Sequence, residues 1–167
     1  DSDESRGLGD VYKRQGEGWS VANATLSHER GSLSNPNAMM NRLNALIERM
    51  KNETINGQKV IDNPVYRDKL MKIQGKVIAF QSNSLRVLSA KLNKNQDVKI
   101  AGMIQKYVGT ELRHELEGFA IDIMGELGTL YQNSPNLRDG GSWQIAYMYF
   151  LGPVSYTHLT LPTILLV

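Results

Sequence analysis

The stretch "LSHERGSL", residues 26–33, sets Glu29 directly before Arg30, after an apolar helical run and ahead of a Gly31-Ser32 break. A carboxylate beside a guanidinium has two uses. On a solvated helix end the pair contributes only ~0 to 1 kcal/mol. Held against a ligand, the carboxylate can move a proton and the guanidinium can anchor an anion. The dipeptide alone leaves both readings open. His28 and His114 belong to no recognised metal-ligand pattern, so no metal site is expected. His114, beside Glu111 and Glu115, reads as part of a solvated charged face. Met39, Met40, Met50, Met71 and Met103 fall on or beside apolar stripes and read as packing. Lys91, Lys94, Lys99 and Lys106 are spread over helix ends and faces and read as solubility charges. The chain has no cysteine, which removes disulfides, thiolate metal sites and thiol nucleophiles.

The two ends differ from what lies between them. "DVYKRQ", residues 10–15, and "VSYTHL", residues 154–159, can be encoded by one DNA sequence and its reverse complement, as in a transposase-based sequencing adaptor. "LTLPT", residues 159–163, fits the same adaptor's continuation. Residues 1–15 and 153–167 are therefore expected to be adaptor-like and are left out of the fold reasoning. The uncharged run over 153–167 is broken by Pro153 and Pro162 and falls short of the ~20 residues of a membrane crossing.

Residues 16–152 are long enough for one domain with a real core. The whole chain carries a formal charge of +2, and its first fifteen residues hold one acidic group more than basic ones. The remaining excess of positive charge is mild, and no nucleic-acid partner is expected. Nothing ahead of Gly16 resembles a signal peptide, so a cytoplasmic location is expected.

Between the ends the chain reads as helix throughout. Asn35 is an N-cap with Pro36 at the first helical position, and Met39, Met40, Leu43, Leu46, Ile47 and Met50 recur at spacings of three and four. The polar stretch "NETINGQKVIDN" breaks that pattern, and Asn63-Pro64 repeats the start signal. Leu70, Ile73, Val77, Phe80, Ser84, Val87 and Leu88 then mark a helix running to about Leu92, on the order of 40 Å long. Asp97 can cap a third helix with apolar positions Ile100, Ala101, Ile104, Tyr107, Val108, Leu112, Leu116, Phe119, Ala120 and Ile123, ended by Gly125 and Gly128. A loop, "ELGTLYQNSPNLRDGG", leads to a short helix with Trp143, Ala146, Tyr147 and Phe150 on one side. A further helical face, Trp19, Ala22 and Leu26, precedes them all. No strand alternation is found. Short connections between long amphipathic helices predict an all-α, up-and-down four-helix bundle.

The opening "GEGWSVANATLSHERG", residues 16–31, resembles the start of the C-terminal helical domain of acyl-CoA dehydrogenases, a Gly-x-Gly-Trp/Phe-x-Val-Ala segment followed by a Leu and an Arg preceded by Glu or Thr. The likeness continues through "IERMKNETINGQKVIDNPVYRDKLMKI", "KYVGTELRHELEGFAIDIMGELG" and "WQIAYMYFLG", covering essentially all of 16–152. The resemblance implies an FAD-dependent oxidoreductase of fatty acid metabolism that desaturates an acyl-CoA thioester, a carboxylate removing the α-proton while the β-hydrogen leaves as hydride to the flavin. It implies electron-transfer flavoprotein or a similar acceptor as partner, and a homodimer or homotetramer. The base must be desolvated, because burial raises the basicity of a carboxylate.

By the same resemblance Glu29 matches the base of the isovaleryl-type and long-chain members, and Arg30 the family's site-anchoring Arg. Arg49 becomes a candidate phosphate contact, since a guanidinium binds phosphate bidentately. Gly125 matches a glycine of the flavin site. The departures are specific. The family's Arg-x-x-Phe-Gly is replaced by Arg49 and a displaced Asn56-Gly57, and its Gln-x-x-Gly-Gly by "DIMGEL", where Asp122 and Glu126 would repel a pyrophosphate. The Gly-Thr loop expected after Gly152 gives way to the adaptor-like end, so the bundle is expected to be truncated at its last helix. The sequence thus predicts an acyl-CoA dehydrogenase fragment, inactive and flavin-free on its own. The alternatives are a non-enzymatic helical oligomerisation module and a flavin oxidase on the same fold.

Overall fold

The structure is a computed structural model that describes residues 18, 20, 35–93 and 99–152. The chain divides into two compact units, residues 1–33 and 34–167. In the first, only Gly18 and Ser20 are described, and both are helical. Glu29, Arg30, the expected Asp97 cap, the Met103 side chain and both adaptor-like ends lie outside the described residues.

Helix α1, Pro36–Asn52, begins where the sequence says it should. Asn35 stays extended and its side-chain oxygen accepts from the backbone N–H groups of Asn37 at 2.9 Å and Ala38 at 3.2 Å, while Pro36 fills a position whose N–H would have no partner. Spacings of four, three and four put Met39, Leu43, Leu46 and Met50 on one buried face. The chain leaves the helix at Glu53 and enters a short antiparallel hairpin of β1, Thr54–Ile55, and β2, Gln58–Lys59, with Thr54 opposite Lys59. Asn56 and Gly57 turn it with φ of 52° and 80°, the two left-handed positions that an Asn-Gly hairpin turn requires. This hairpin corrects the strand-free expectation. Strands of two residues are too short to show alternation, and the Asn-Gly pair was the only signal.

Asn63 repeats the cap, accepting from Val65 and Tyr66, and Pro64 starts α2, Pro64–Leu92. Helix α3, Lys99–Ile123, follows, then 3₁₀ turns at Gly125–Thr129 and Arg138–Gly141, then α4 over 142–152. Helices α1, α2 and α3 pack on one another around a core of Leu43, Leu46, Met50, Leu70, Ile73, Val77, Phe80, Leu112, Leu116, Phe119 and Ile123, closed by Val60 and Trp143. The fold is all-α, as expected. Gly128 is required where it stands, because a Cβ there would sit 2.5 Å from the Ile121 carbonyl oxygen. No helix among the described residues is long and apolar enough to cross a membrane.

Three expectations need correction. Leu88 is 54% exposed, one position past the buried Val87, and Ile100, Ile104, Tyr107 and Val108 are exposed as well. The core ends near Leu112 on α3, and apolar character in the preceding turns does not enclose them. His114 is half-buried rather than solvated: its ring stacks on Tyr147 at 4.3 Å, and its buried Nδ1 has no hydrogen-bond partner.

Leu116 is fully enclosed, so Leu116→Ala should lower the unfolding free energy by about 2 to 5 kcal/mol. Val65 is 73% exposed, and Val65→Ala should change it by under ~0.5 kcal/mol. Urea unfolding followed by circular dichroism measures both.

Candidate functional site

The polar centre of the domain starts from one buried acid. Glu117, in the last two turns of α3, has a side chain with no solvent exposure. A charge in that position is costly to bury unless opposite charge and hydrogen bonds meet it. Two guanidiniums meet it. Arg42 of α1 donates from Nε to both carboxylate oxygens, at 2.8 and 3.0 Å, and from Nη2 at 2.7 Å. Arg113, one turn before Glu117, donates from Nε at 2.5 Å.

From there the network runs outward. The Arg42 guanidinium lies 3.4 Å from the centroid of the buried Trp143 ring, a cation held on an aromatic face. Trp143 Nε1 donates to Asp139 Oδ2 at 2.6 Å. Asp139 also accepts from Arg49, through Nε at 3.0 Å and through Nη2 on its other oxygen. Arg49 and Arg138 both reach Glu53 Oε2, at 3.5 and 3.3 Å, which ties the 3₁₀ turn to the end of α1. Asp139, Gly140 and Gly141 are three successive residues with positive φ, of 49°, 62° and 77°. Two glycines accept that conformation freely, whereas aspartate does so at a cost that its three bonds offset. The Asp139 carboxyl feels opposing influences. Partial burial would raise its pKa, but hydrogen bonds from Arg49 and Trp143 and the charges of Arg49 and Arg42 outweigh this and hold it below the ordinary value.

Two clefts flank these groups. One, of about 370 Å³, is lined by Arg42, Ala45, Glu48, Arg49, Asn52, Asp139, Ser142 and Trp143. The other, of about 390 Å³, lies where α4 meets α3 and is lined by Lys69, His114, Glu115, Gly118, Phe119, Ile121, Asp122 and Tyr147. There Tyr147 settles on Gly118, where an added Cβ would be 3.1 Å from its ring. Lys69 pairs with Asp122 at 2.8 Å and lies over the Phe119 ring.

Arg49 therefore borders a cleft and holds two carboxylates. Gly125 is exposed, with φ of 55°, at the turn that ends α3, and lines neither cleft. Asp122 is not a free negative charge, since Lys69 answers it. Among the described residues no cluster of His, Cys, Asp and Glu could hold a metal. Sequence reasoning missed Arg42, Arg113, Glu117, Asp139 and Trp143 as one network. The available signals were the seven-residue spacing of Arg42 and Arg49 on α1 and the i, i+4 spacing of Arg113 and Glu117, neither of which announces burial. Chemically, the first cleft offers an aromatic wall, the Ser142 hydroxyl, the Asn52 amide and a guanidinium able to exchange a carboxylate for a ligand's anionic oxygen.

Comparison with known proteins places this geometry in context. The family described as acyl-CoA dehydrogenase, C-terminal domain, matches residues 16–148. No curated protein sequence matches. Among solved structures, a chain of the ChsE4-ChsE5 complex from Mycobacterium tuberculosis superposes with a TM-score of 0.63 at 20% identity, over 86% of this chain and 40% of that one. A protein assigned as an acyl-CoA dehydrogenase from Mycobacterium smegmatis superposes with a TM-score of 0.62 at 15% identity, over 86% of this chain and 39% of that one. At these identities the likeness is one of fold. The chain spans about two fifths of the length of either solved relative.

Two outcomes follow from the network. Glu117→Gln leaves two facing guanidiniums with no anion between them and should cost about 3 to 5 kcal/mol in urea unfolding. Asp139 has a depressed pKa in the folded state, so its contribution is full above the pKa of an unfolded aspartate and is lost as pH falls through the folded value. Asp139→Asn should therefore be less stable than the wild type at neutral pH, with the gap closing in acid. A gap that stays constant down to acid pH would show that the carboxylate's charge is not what counts.

Proposed function

The chain belongs to the acyl-CoA dehydrogenase family through its C-terminal domain, and from that premise we propose that it is the helical C-terminal part of an FAD-dependent acyl-CoA dehydrogenase that desaturates an acyl-CoA thioester. The observation that carries the proposal is the family match over residues 16–148, which includes the Gly-x-Gly-Trp segment and the Glu29-Arg30 pair.

In this reading Glu29 takes the α-proton of the thioester, and Arg30 anchors the site through backbone or carboxylate partners. The flavin, when bound, accepts the β-hydrogen as hydride. Arg49 and Gly125 are the residues assigned to FAD. The surroundings of the two differ, since Arg49 presents a guanidinium while Gly125 lies beside the exposed carboxylate of Glu126. The Arg49 guanidinium borders a cleft and is already arranged for bidentate contact with an anion, and the space a Cβ would occupy at Gly125 is open, leaving its backbone approachable. A phosphate at Arg49 would share that guanidinium with Asp139 and Glu53, which sets a charge limit on the contact. Electron-transfer flavoprotein or a similar acceptor, assembly as a homodimer or homotetramer, and a cytoplasmic place complete the proposal. The isolated chain, at two fifths of the length of its solved relatives, is proposed to be inactive and flavin-free.

Two measurements test this. Purified chain should be colourless, without flavin absorbance; a stoichiometric yellow protein overturns the flavin-free expectation. In the longer parent, Glu29→Gln should lower thioester dehydrogenation by about 10² to 10⁴-fold with FAD still bound. Dehydrogenation that survives the substitution removes Glu29 as the base.

A further inference from the structure

Three N–H donors converge on the Asp139 carboxylate in the cleft beside α1. Arg49 gives its Nε at 3.0 Å and its Nη2, and Trp143 gives Nε1 at 2.6 Å, so both carboxylate oxygens are held. Arg42 lines the same cleft, and its charge acts on the carboxylate as well. The Ser142 hydroxyl stands beside it, 3.4 Å from Arg42 Nη1. Two guanidiniums, an indole N–H and a hydroxyl around one opening of about 370 Å³ form a donor set that suits a phosphate, which carries more oxygens than a carboxylate.

The carboxylates of the network differ in whether they can leave. Glu117 has no exposure and is gripped by Arg42 and Arg113, so it is a fixed part of the structure. Glu53 is 9% exposed in its side chain and tied to Arg138, so it stays as well. The Asp139 side chain is 38% exposed and hangs on a turn whose next two residues are glycines. All three have positive φ, and a Cβ at Gly140 would meet nothing within 4 Å. An aspartate held in the left-handed region is strained, and leaving the cleft frees it to return to an ordinary φ while the glycines follow without steric cost.

We propose that Asp139 is a built-in stand-in for a ligand's phosphate. It occupies the Arg49 guanidinium and Trp143 Nε1 when the cleft holds no ligand, and it is exchanged for a pyrophosphate group that takes over the same three donors as the Asp139-Gly140-Gly141 turn opens. The cleft binds an anion only while Asp139 is away, so a carboxylate in place about nine tenths of the time weakens the apparent affinity about tenfold. The inference deepens the assignment of Arg49 above and rests on it only for the class of ligand. Flavin content and thioester dehydrogenation test that assignment, whereas the exchange is read from anion binding alone, so either can fail without the other.

Asp139→Asn removes the charge with a side chain that tolerates positive φ, and Asp139→Gly removes the side chain where φ favours glycine. In a Trp19→Phe background Trp143 is the sole tryptophan, and its emission follows a titration with inorganic pyrophosphate. Both variants should bind pyrophosphate about tenfold more tightly than the chain that keeps Asp139, and adding Arg49→Gln to Asp139→Asn should abolish the gain. Unchanged or weaker binding by the variants overturns the proposal, because Asp139 would then only hold Arg49 in place. Binding that survives Arg49→Gln, or binding by none of the chains, overturns it too. FAD and coenzyme A, both pyrophosphate diesters, are then added in turn to the Asp139→Asn variant as competitors. Competition by either supports the exchange and tells the two sources apart; competition by neither counts against it.

Discussion

Glu117 sits where water cannot reach it, and its charge dictates much of what surrounds it. Two arginines must come to it, from α1 and from its own helix. Arg42 does so while lying on the Trp143 ring, near the start of α4, and Trp143 in turn holds Asp139 and through it Arg49. A single desolvated carboxylate thereby sets the relative positions of α1, α3, α4 and the turn before α4. Apolar packing holds the helices together but is tolerant of small slips. Bidentate ion pairs in a low-dielectric setting are not, so the network supplies the register that the core alone leaves loose.

The division of labour shows in how the two halves of α2 and α3 behave. Near Leu70, Ile73, Leu116 and Phe119 both helices are enclosed and the charged network is close by. Towards Leu92 and Ile100 the same helices stay regular while their apolar side chains face outward. Continuous helices thus carry a rigid, charge-fixed end and an end whose stability depends on what it meets.

Most of this architecture could be read from the residues, and the unread parts have physical causes. Asn35-Pro36 and Asn63-Pro64 announced both helix starts because capping is a local interaction, and spacings of three and four announced the stripes because the helix period is fixed. The hairpin was missed because two residues per strand carry no alternation. Leu88 and Ile100 were assigned to the core because periodicity reports that a face is apolar and not whether anything lies opposite. Glu117, Arg42 and Asp139 were invisible as a group because their partners are 75 and 90 residues apart, or bound through a ring, and long-range pairing leaves no trace in a single sequence. The likeness at residues 16–31 identified the family where geometry by itself could not, since a bundle of this kind is common to many functions.

Gly118 shows how little material can determine a distance. The ring of Tyr147 rests against a position that carries only hydrogen, and the imidazole of His114 is stacked on that same ring. The gap between α3 and α4 is therefore gauged by one aromatic ring laid on bare backbone, with no side chain at 118 to lift it. An alanine at this point would push the Tyr147 ring outward by a few tenths of an ångström, so the size of residue 118 sets how closely the last helix can settle.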